Sequence, residues 1–294
     1  MTTVVNVPRS LDDVSFERVF DQVAAVPADE KILINARNTT WASPYGLTAL
    51  LCVAQTRLDR PQLAIPERDD TASYWSKASF FEYAEDLYEI IGKVPRSRAG
   101  AESSVLLGVT PVSKTEDVHG VVEKIQSKAQ VILQGTLHLE ASVTMRFTMA
   151  LSEICQNVIE HAGRGGWACV HVYRFTQRLG RQAVQIAVCD AGIGFRQSLE
   201  TSLGATPDRW TDAIALEDTV MRGLTRFHDP GRGQGLAGVR KFLYKWQGKI
   251  SVRSGTARIA IVPEWDEDEP MKENLAPFPG AQVQITIPER MDLP

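Results

Sequence analysis

Residues 151–163 read LSEICQNVIEHAG, and this stretch decides the fold. Glu153, Asn157 and His161 recur every four residues, which puts all three side chains on one face of a helix. Apolar residues recur at steps of three and four on another face, so an amphipathic helix is predicted at about 139–161. On its own, this spacing is equally typical of a solvated helix face.

A second signal follows the apolar run at 183–189, where residues 190–195 read DAGIGF. The run predicts a strand that ends at Asp190, followed by a tight turn through Gly192 and Gly194. An aspartate at a strand end can direct its carboxylate into a pocket, and glycines let the backbone approach a ligand closely. A plain strand-to-loop turn would use the same residue types.

A third signal is GRGQGLAG at residues 231–238, before a predicted helix at about 236–246. Glycines before a helix leave N–H groups that can face a phosphate. Gly233, Gly235 and Gly238 also match the dinucleotide-binding fingerprint, but that fingerprint requires a strand directly before it. The preceding TRFHDPGR is polar and interrupted by proline, so a dinucleotide site of that kind is rejected.

The fourth signal is the final strand, PGAQVQITIP at residues 279–288. Its apolar residues alternate with polar ones, and Thr286 lies among apolar neighbours. This pattern alone is typical of a half-buried strand.

Together the four stretches resemble the N, G1, G2 and last-strand motifs of the GHKL ATPases (gyrase, heat-shock chaperone, histidine kinase, MutL). The resemblance covers about half of the chain and assigns residues 116–290 to this domain. It implies the α/β sandwich known as the Bergerat fold, with a mixed sheet on one side and helices on the other.

The resemblance also implies an ATP site with Mg²⁺. Glu153 would be the catalytic residue that orients or activates the nucleophile, Asn157 would bind Mg²⁺, and Asp190 would accept a hydrogen bond from the adenine amino group. Thr286 would support Asp190. The other implied nucleotide-binding positions are His161, Gly192, Gly194, Gly231, Gly233, Gln234, Gly235 and Leu236. Within the superfamily, LSEICQNVIEHAG looks most like the anti-sigma-factor serine kinase branch.

The first 95 residues predict a small α/β domain with a β-α-β-α-β-α order, and residues 96–115 predict a linker. The stretch KILINARNTTWASPYGLTALLCVA at 31–54 resembles the core of STAS domains. Where such proteins present a phosphorylatable serine before Gly-Leu, this chain has Tyr45. A degenerate domain used for packing or dimerisation and a signalling role are both open.

Bulk composition narrows the function classes. The formal net charge of −4 argues against sequence-independent nucleic-acid binding, which needs a basic surface. The four cysteines form no CxxC pair and are expected to be buried thiols. We find neither a signal-peptide pattern nor an apolar run long enough to cross a bilayer, so a cytoplasmic protein without membrane contact is expected.

Two functions therefore stand side by side. The first is an ATP-dependent protein kinase or ATPase of the partner-switching type, and Glu153 is the residue that favours it. The second is a non-catalytic, nucleotide-gated interaction module in which ATP orders a lid at 195–230. Both imply a protein partner, either a STAS-type or sigma-factor-like regulator or a second copy of the chain in a homodimer.

Overall fold

The computed structural model describes residues 2–96, 105–129, 165–175, 179–203, 210–223 and 246–290, with shorter runs at 134–135, 138, 140–142, 145, 149, 151–152, 154–157 and 243–244. Among these residues, no helix has the length and apolar character needed to cross a bilayer.

The N-terminal half is built around a four-stranded sheet with the order β1-β3-β5-β6, in which every pairing is parallel. Its strands are β1 (Thr3–Asn6), β2 (Ser10–Leu11), β3 (Ile32–Asn35), β4 (Trp41–Ala42), β5 (Gln62–Ala64) and β6 (Glu89–Ile91), and β2 pairs with β4 in a separate ribbon. Its helices are α1 (Glu17–Ala24), α2 (Pro44–Gln55), α3 (Asp69–Lys77) and α4 (Phe80–Leu87). The predicted alternation of strands and helices is confirmed, and β6 falls where only helix was expected.

The second half contains a seven-stranded sheet with the order β12-β11-β10-β13-β9-β8-β7. Its strands are β7 (Val105–Val112), β8 (Gly166–Phe175), β9 (Arg181–Asp190), β10 (Lys249–Gly255), β11 (Ala257–Ile261), β12 (Met271–Lys272) and β13 (Phe278–Pro288). Three helices have described bounds here, α5 (Thr115–Ala129), α6 (Gly194–Leu203) and α7 (Asp212–Arg222). The described residues at 151–152 and 154–157 are also helical. Helices α6 and α7 both lie largely within the segment at 195–230 that was expected to be a lid.

The α/β class is confirmed, but the second sheet is not mixed. Every pairing among its described strands is antiparallel. Strands β9 and β10 run in the same direction, yet the C-terminal strand β13 lies between them and pairs antiparallel with both. The insertion of β13 is therefore the reason why β9 and β10 do not form a parallel pair.

Strand β7 corrects the expected linker. Residues 105–112 were placed within the linker at 96–115, but they form the edge strand of the second sheet and pair with β8. The run VLLGVT is apolar enough to be buried, and Leu106, Leu107 and Val109 are all at most 3% exposed. The second unit thus begins before the predicted start at 116.

The two faces of the seven-stranded sheet bury different partners, because side chains alternate along each strand. On the front face, Val184, Ile186 and Val188 of β9 share a core with residues such as Leu151. On the back face, Cys189 shares a core with the N-terminal half. Helix α2 packs on this back face, and all of its residues from Pro44 to Ala54 are buried.

The hydroxyl groups around the SPYGL motif serve the structure. Ser43 caps α2, and its Oγ accepts a hydrogen bond from the Gly46 N–H at 3.1 Å. The Thr39 hydroxyl donates to the Pro8 carbonyl at 3.1 Å. Ser43 and Thr39 are fully buried, and Tyr45 is 1% exposed. None of these three hydroxyls is presented on the surface.

The acidic loop at 264–274 reads EWDEDEPMKEN, a composition typical of a solvated loop, but it is anchored by buried charges. Lys249 Nζ lies 3.0 Å from both Asp266 Oδ1 and Asp268 Oδ2. Arg258 also contacts Asp268. Because the two basic side chains point from β10 and β11 into the protein, the loop supplies the carboxylates that compensate them.

Candidate functional site

Among the predicted site residues, Asn157, Asp190, Gly192, Gly194 and Thr286 lie within the described part of the chain. The others, Glu153, His161, Gly231, Gly233, Gln234, Gly235 and Leu236, lie outside the described residues. The site is therefore built from the end of β9, the turn that follows it, the start of β13 and one described helical run.

Asp190 is the last residue of β9, as predicted, and is only 6% exposed. Its Oδ1 accepts a hydrogen bond from the Gly192 N–H at 2.8 Å. Burial raises the pKa of the Asp190 carboxyl to about 7, and backbone N–H groups of Gly192 and Ala281 act in the opposite direction. A carboxyl group in this state can accept a hydrogen bond from a ligand amino group and changes charge near neutral pH.

Two glycines make this close packing possible. Gly280 has a φ of +81°, and a Cβ there would lie 2.3 Å from the Asp190 carbonyl oxygen and 2.5 Å from Oδ1. Gly194 has a φ of +73°, and a Cβ there would lie 2.6 Å from Ser254 Oγ. Any side chain at either position would be strained and would clash. The turn after Asp190 is thus held against the start of β13.

Gln282 is a residue that the sequence reasoning missed. Its Nε2 donates to the Asp190 carbonyl oxygen at 2.8 Å and to the Pro279 carbonyl oxygen at 2.9 Å. It joins the end of β9 to the start of β13 and is fully buried. The available signal was its position: it lies two residues after the glycine that begins the alternating strand.

The position of Thr286 contradicts the prediction that this residue supports Asp190. It pairs with Gln185, five residues before Asp190, and Gln185 Nε2 donates to its hydroxyl at 3.4 Å. Residues opposite each other in a pair of strands share a face, so Thr286 lies on the back face with Cys189, whereas Asp190 follows the alternation of the front face. Support for Asp190 comes from Gln282 and not from Thr286.

Asn157 lies in a helical run that packs on the front face. Leu151, Ile154 and Cys155 of this helix are buried in the front-face core, and Asn157 is half-buried. Asn157 is three residues after Ile154, which puts it on the flank of the buried face. An asparagine amide oxygen is a hard ligand of the type that Mg²⁺ accepts, so the residue type and its partial exposure fit the implied role. Within the described residues, no group of three His, Cys, Asp or Glu side chains could hold a metal ion.

The N-terminal half contacts the strand that carries Asp190 from behind. The Thr48 hydroxyl of α2 donates to Cys189 Sγ at 3.2 Å. Cys189 precedes Asp190 directly, and burial raises the pKa of its thiol to about 12. Further along α2, Gln55 Oε1 accepts from Trp167 Nε1 of β8 at 3.2 Å. Helix α2 therefore fixes the end of β9 from the back face of the sheet.

Comparison with known proteins adds one match. The family model described as "Histidine kinase-, DNA gyrase B-, and HSP90-like ATPase" matches residues 142–291, just over half of the chain. This range includes Asn157, Asp190 and the start of β13. No curated protein matches the chain.

Proposed function

Because the chain belongs to the family of histidine kinase-, DNA gyrase B- and HSP90-like ATPases, we propose that it is a Mg²⁺-ATP-dependent regulatory protein kinase of the anti-sigma-factor type. Its ATPase domain is joined to a STAS-like N-terminal half. The phosphoryl acceptor is a hydroxyl group on a protein partner, either a STAS-type or sigma-factor-like regulator or a second copy of this chain.

The observation that carries the nucleotide part of the proposal is the environment of Asp190. A carboxyl group that is 6% exposed and is held by a neighbouring N–H offers a fixed hydrogen-bond acceptor. A buried acceptor of this kind favours a ligand that donates a hydrogen bond to it, because leaving a buried polar group unpaired costs free energy. The amino group of adenine supplies that donor.

The catalytic part of the proposal concerns Glu153 and Asn157. Asn157 would hold the Mg²⁺ ion that neutralises the charge developing on the phosphates. Glu153 would accept the proton of the attacking hydroxyl while the bond between the γ-phosphorus and the bridging oxygen breaks and ADP leaves. The four-residue spacing of the two residues on one helix supports this shared role.

Calorimetric titration with Mg²⁺-ATP tests nucleotide binding. The wild type is expected to bind, and Asp190→Asn and Asn157→Ala are expected to bind about tenfold or more weakly, because the first loses the carboxylate acceptor and the second loses a Mg²⁺ ligand. Thr286→Val serves as the matched control, since its side chain lies on the other sheet face. Equal affinities in all four proteins would refute the assignment of the site.

Incubation with γ-labelled ATP tests catalysis. We expect phosphate release or transfer that is lost in Glu153→Ala, while Mg²⁺-ADP binding by that variant stays close to that of the wild type. Turnover that is insensitive to Glu153→Ala, or absent in the wild type with candidate STAS-type partners, would refute the kinase role and leave ATP binding intact.

One observation favours the alternative, a nucleotide-gated interaction module without turnover. Ser43, Thr39 and Tyr45 at the STAS-like motif are at most 1% exposed, and the hydroxyl of the half-buried Thr40 donates to the Arg9 carbonyl oxygen at 3.1 Å. The motif is packed against the ATPase sheet and is not displayed to a partner. The result that would distinguish the alternative is ATP-dependent partner affinity in the complete absence of phosphate release.

A further inference from the structure

The segment Ala276–Gly280, here called the β13 start segment, lies between the N-terminal half and Asp190. Gly280 packs directly on Asp190, and the Ala281 N–H that follows it bonds to the Asp190 carboxyl. The sequence of the segment, APFPG, contains two prolines, which restrict its backbone. A displacement of this segment must therefore move the acceptor that the proposed site offers to adenine.

Arg253 of β10 holds the β13 start segment in place. Its Nη2 donates to the Ala276 carbonyl oxygen at 2.6 Å, and its Nη1 donates to the Gly255 carbonyl oxygen at 3.1 Å. Arg253 also pairs in register with Gln282, whose side chain bonds to the Asp190 carbonyl oxygen. The guanidinium is completely buried, so its orientation depends on its charged partner.

That partner comes from helix α1 in the N-terminal half. Glu17 accepts from Arg253 Nε through both carboxylate oxygens, at 3.0 and 3.1 Å. One turn further, the Phe20 ring centroid lies 4.3 Å from the Arg253 guanidinium carbon and 4.3 Å from the Phe278 ring centroid. Helix α1 thus contacts the β13 start segment once through a charge and once through a ring.

We propose that Glu17 and Phe20 of α1 are positioning residues for the nucleotide site, acting through Arg253 and Phe278 on Asp190. The N-terminal half then sets the affinity for adenine nucleotides from the back of the sheet, without touching the ligand. Anything that shifts α1 changes nucleotide affinity, and by linkage nucleotide binding changes the stability of the contact between α1 and Arg253. This inference rests on the proposed function, since it assigns a further control to the same site.

A second buried contact at the same interface supplies a matched control. Asp13, just before α1, accepts from Gln284 Nε2 at 2.8 Å and pairs with Arg258 at 3.4 Å. Gln284 pairs with Ala187, three residues before Asp190 along β9. The contact made by Asp13 has the same chemistry and a similar depth, but it does not touch the β13 start segment.

The experiment compares Glu17→Gln, Phe20→Leu and Asp13→Asn in the full chain. Affinity for Mg²⁺-ATP and Mg²⁺-ADP is measured by calorimetry, at a temperature at which each variant is fully folded by circular dichroism. We expect about tenfold weaker binding for Glu17→Gln and Phe20→Leu and less than about twofold change for Asp13→Asn, the scale of coupling through packed side chains. Glu17→Asp keeps the charge and is expected to restore most of the affinity.

The outcomes distinguish failure of the proposed nucleotide site from failure of the positioning role of α1. A wild type that binds no adenine nucleotide refutes the proposed function itself. A wild type that binds, with Glu17→Gln and Asp13→Asn weakening binding equally, refutes the positioning role and shows a general stability effect. Should Glu17→Gln fail to fold, Phe20→Leu decides, because unchanged binding in that variant also overturns the proposal.

Discussion

The raised pKa of Asp190 predicts how the stability of the nucleotide-free protein depends on pH. The folded carboxyl keeps its proton up to about pH 7, whereas its ordinary value is 3.8. Between these values this carboxyl binds more protons in the folded state than in the unfolded state, so its contribution to the free energy of unfolding falls as pH rises from about 4 to about 7. At about 1.36 kcal/mol per pH unit, the full interval costs about 4 kcal/mol.

The perturbation is Asp190→Asn, which keeps an oxygen to accept from the Gly192 N–H and removes the ionisation. Any fixed cost of the amide is independent of pH and cancels in a comparison across pH values. Relative to the wild type, the variant is therefore expected to gain about 4 kcal/mol in its free energy of unfolding between pH 4 and pH 8. Urea denaturation at half-unit pH steps, without nucleotide, measures this difference.

Asp70→Asn is the control. The Arg68 guanidinium lowers the pKa of the exposed Asp70 carboxyl to about 2, so its pKa lies below 4 in the folded state and, at the ordinary value of 3.8, in the unfolded state too. The stability difference between this variant and the wild type is expected to be flat from pH 4 to pH 8. If the Asp190→Asn difference is also flat, Asp190 is solvated in solution and is not the buried acceptor that the proposed adenine site requires.

Three further predictions follow from named contacts. Gln282→Leu removes both hydrogen bonds to the carbonyl oxygens of β9 and β13 and is expected to weaken Mg²⁺-ATP binding about tenfold. Thr286→Val is expected to change the affinity less than about twofold. Calorimetry that ranks the two variants in reverse would contradict the placement of Gln282 beside Asp190 and of Thr286 on the other sheet face. Gly280→Ala places a methyl group against the Asp190 carbonyl oxygen and is expected to lower the free energy of unfolding, measured by urea denaturation, by at least about 2 kcal/mol. Gly120→Ala, in open space on α5, is expected to raise it by up to about 1 kcal/mol. Burial lowers the pKa of His171 to about 3, so the unfolded chain takes up a proton at this position first as pH falls below about 6.5. The free energy of unfolding of the wild type, measured relative to that of His171→Gln, is therefore expected to drop by about 2–3 kcal/mol from pH 6.5 to 4.5; a flat difference would show that His171 is not buried in its neutral form.

The sequence predicted those parts of the fold that depend on local pattern. The order of strands and helices and the end of β9 at Asp190 followed from apolar periodicity and glycine placement. A strand end, a turn and a helix face are each specified by residues close together in the chain. The α/β class was accessible for the same reason.

Features that depend on contacts distant in sequence could not be read in advance. Periodicity identified β13 as a strand, but its position between β9 and β10 decides that the sheet is antiparallel and that Thr286 faces away from Asp190. The residue type of Gln282 gave no signal beyond its position after Gly280, because glutamine in a strand is usually a surface residue. The acidic loop looked solvated since its buried partners, Lys249 and Arg258, are known only once the strands are assembled.

The central helix α2 has a consequence for synthesis of the protein on the ribosome. The segments that cover this helix lie far apart in the sequence. Strand β9, which packs against it from the second half, ends at Asp190, 135 residues after Gln55. At 5–20 residues per second, translation leaves the apolar surface of α2 exposed for about 7–27 s. The nascent N-terminal half is therefore expected to bind chaperones, and expression of this half alone is expected to yield protein that aggregates.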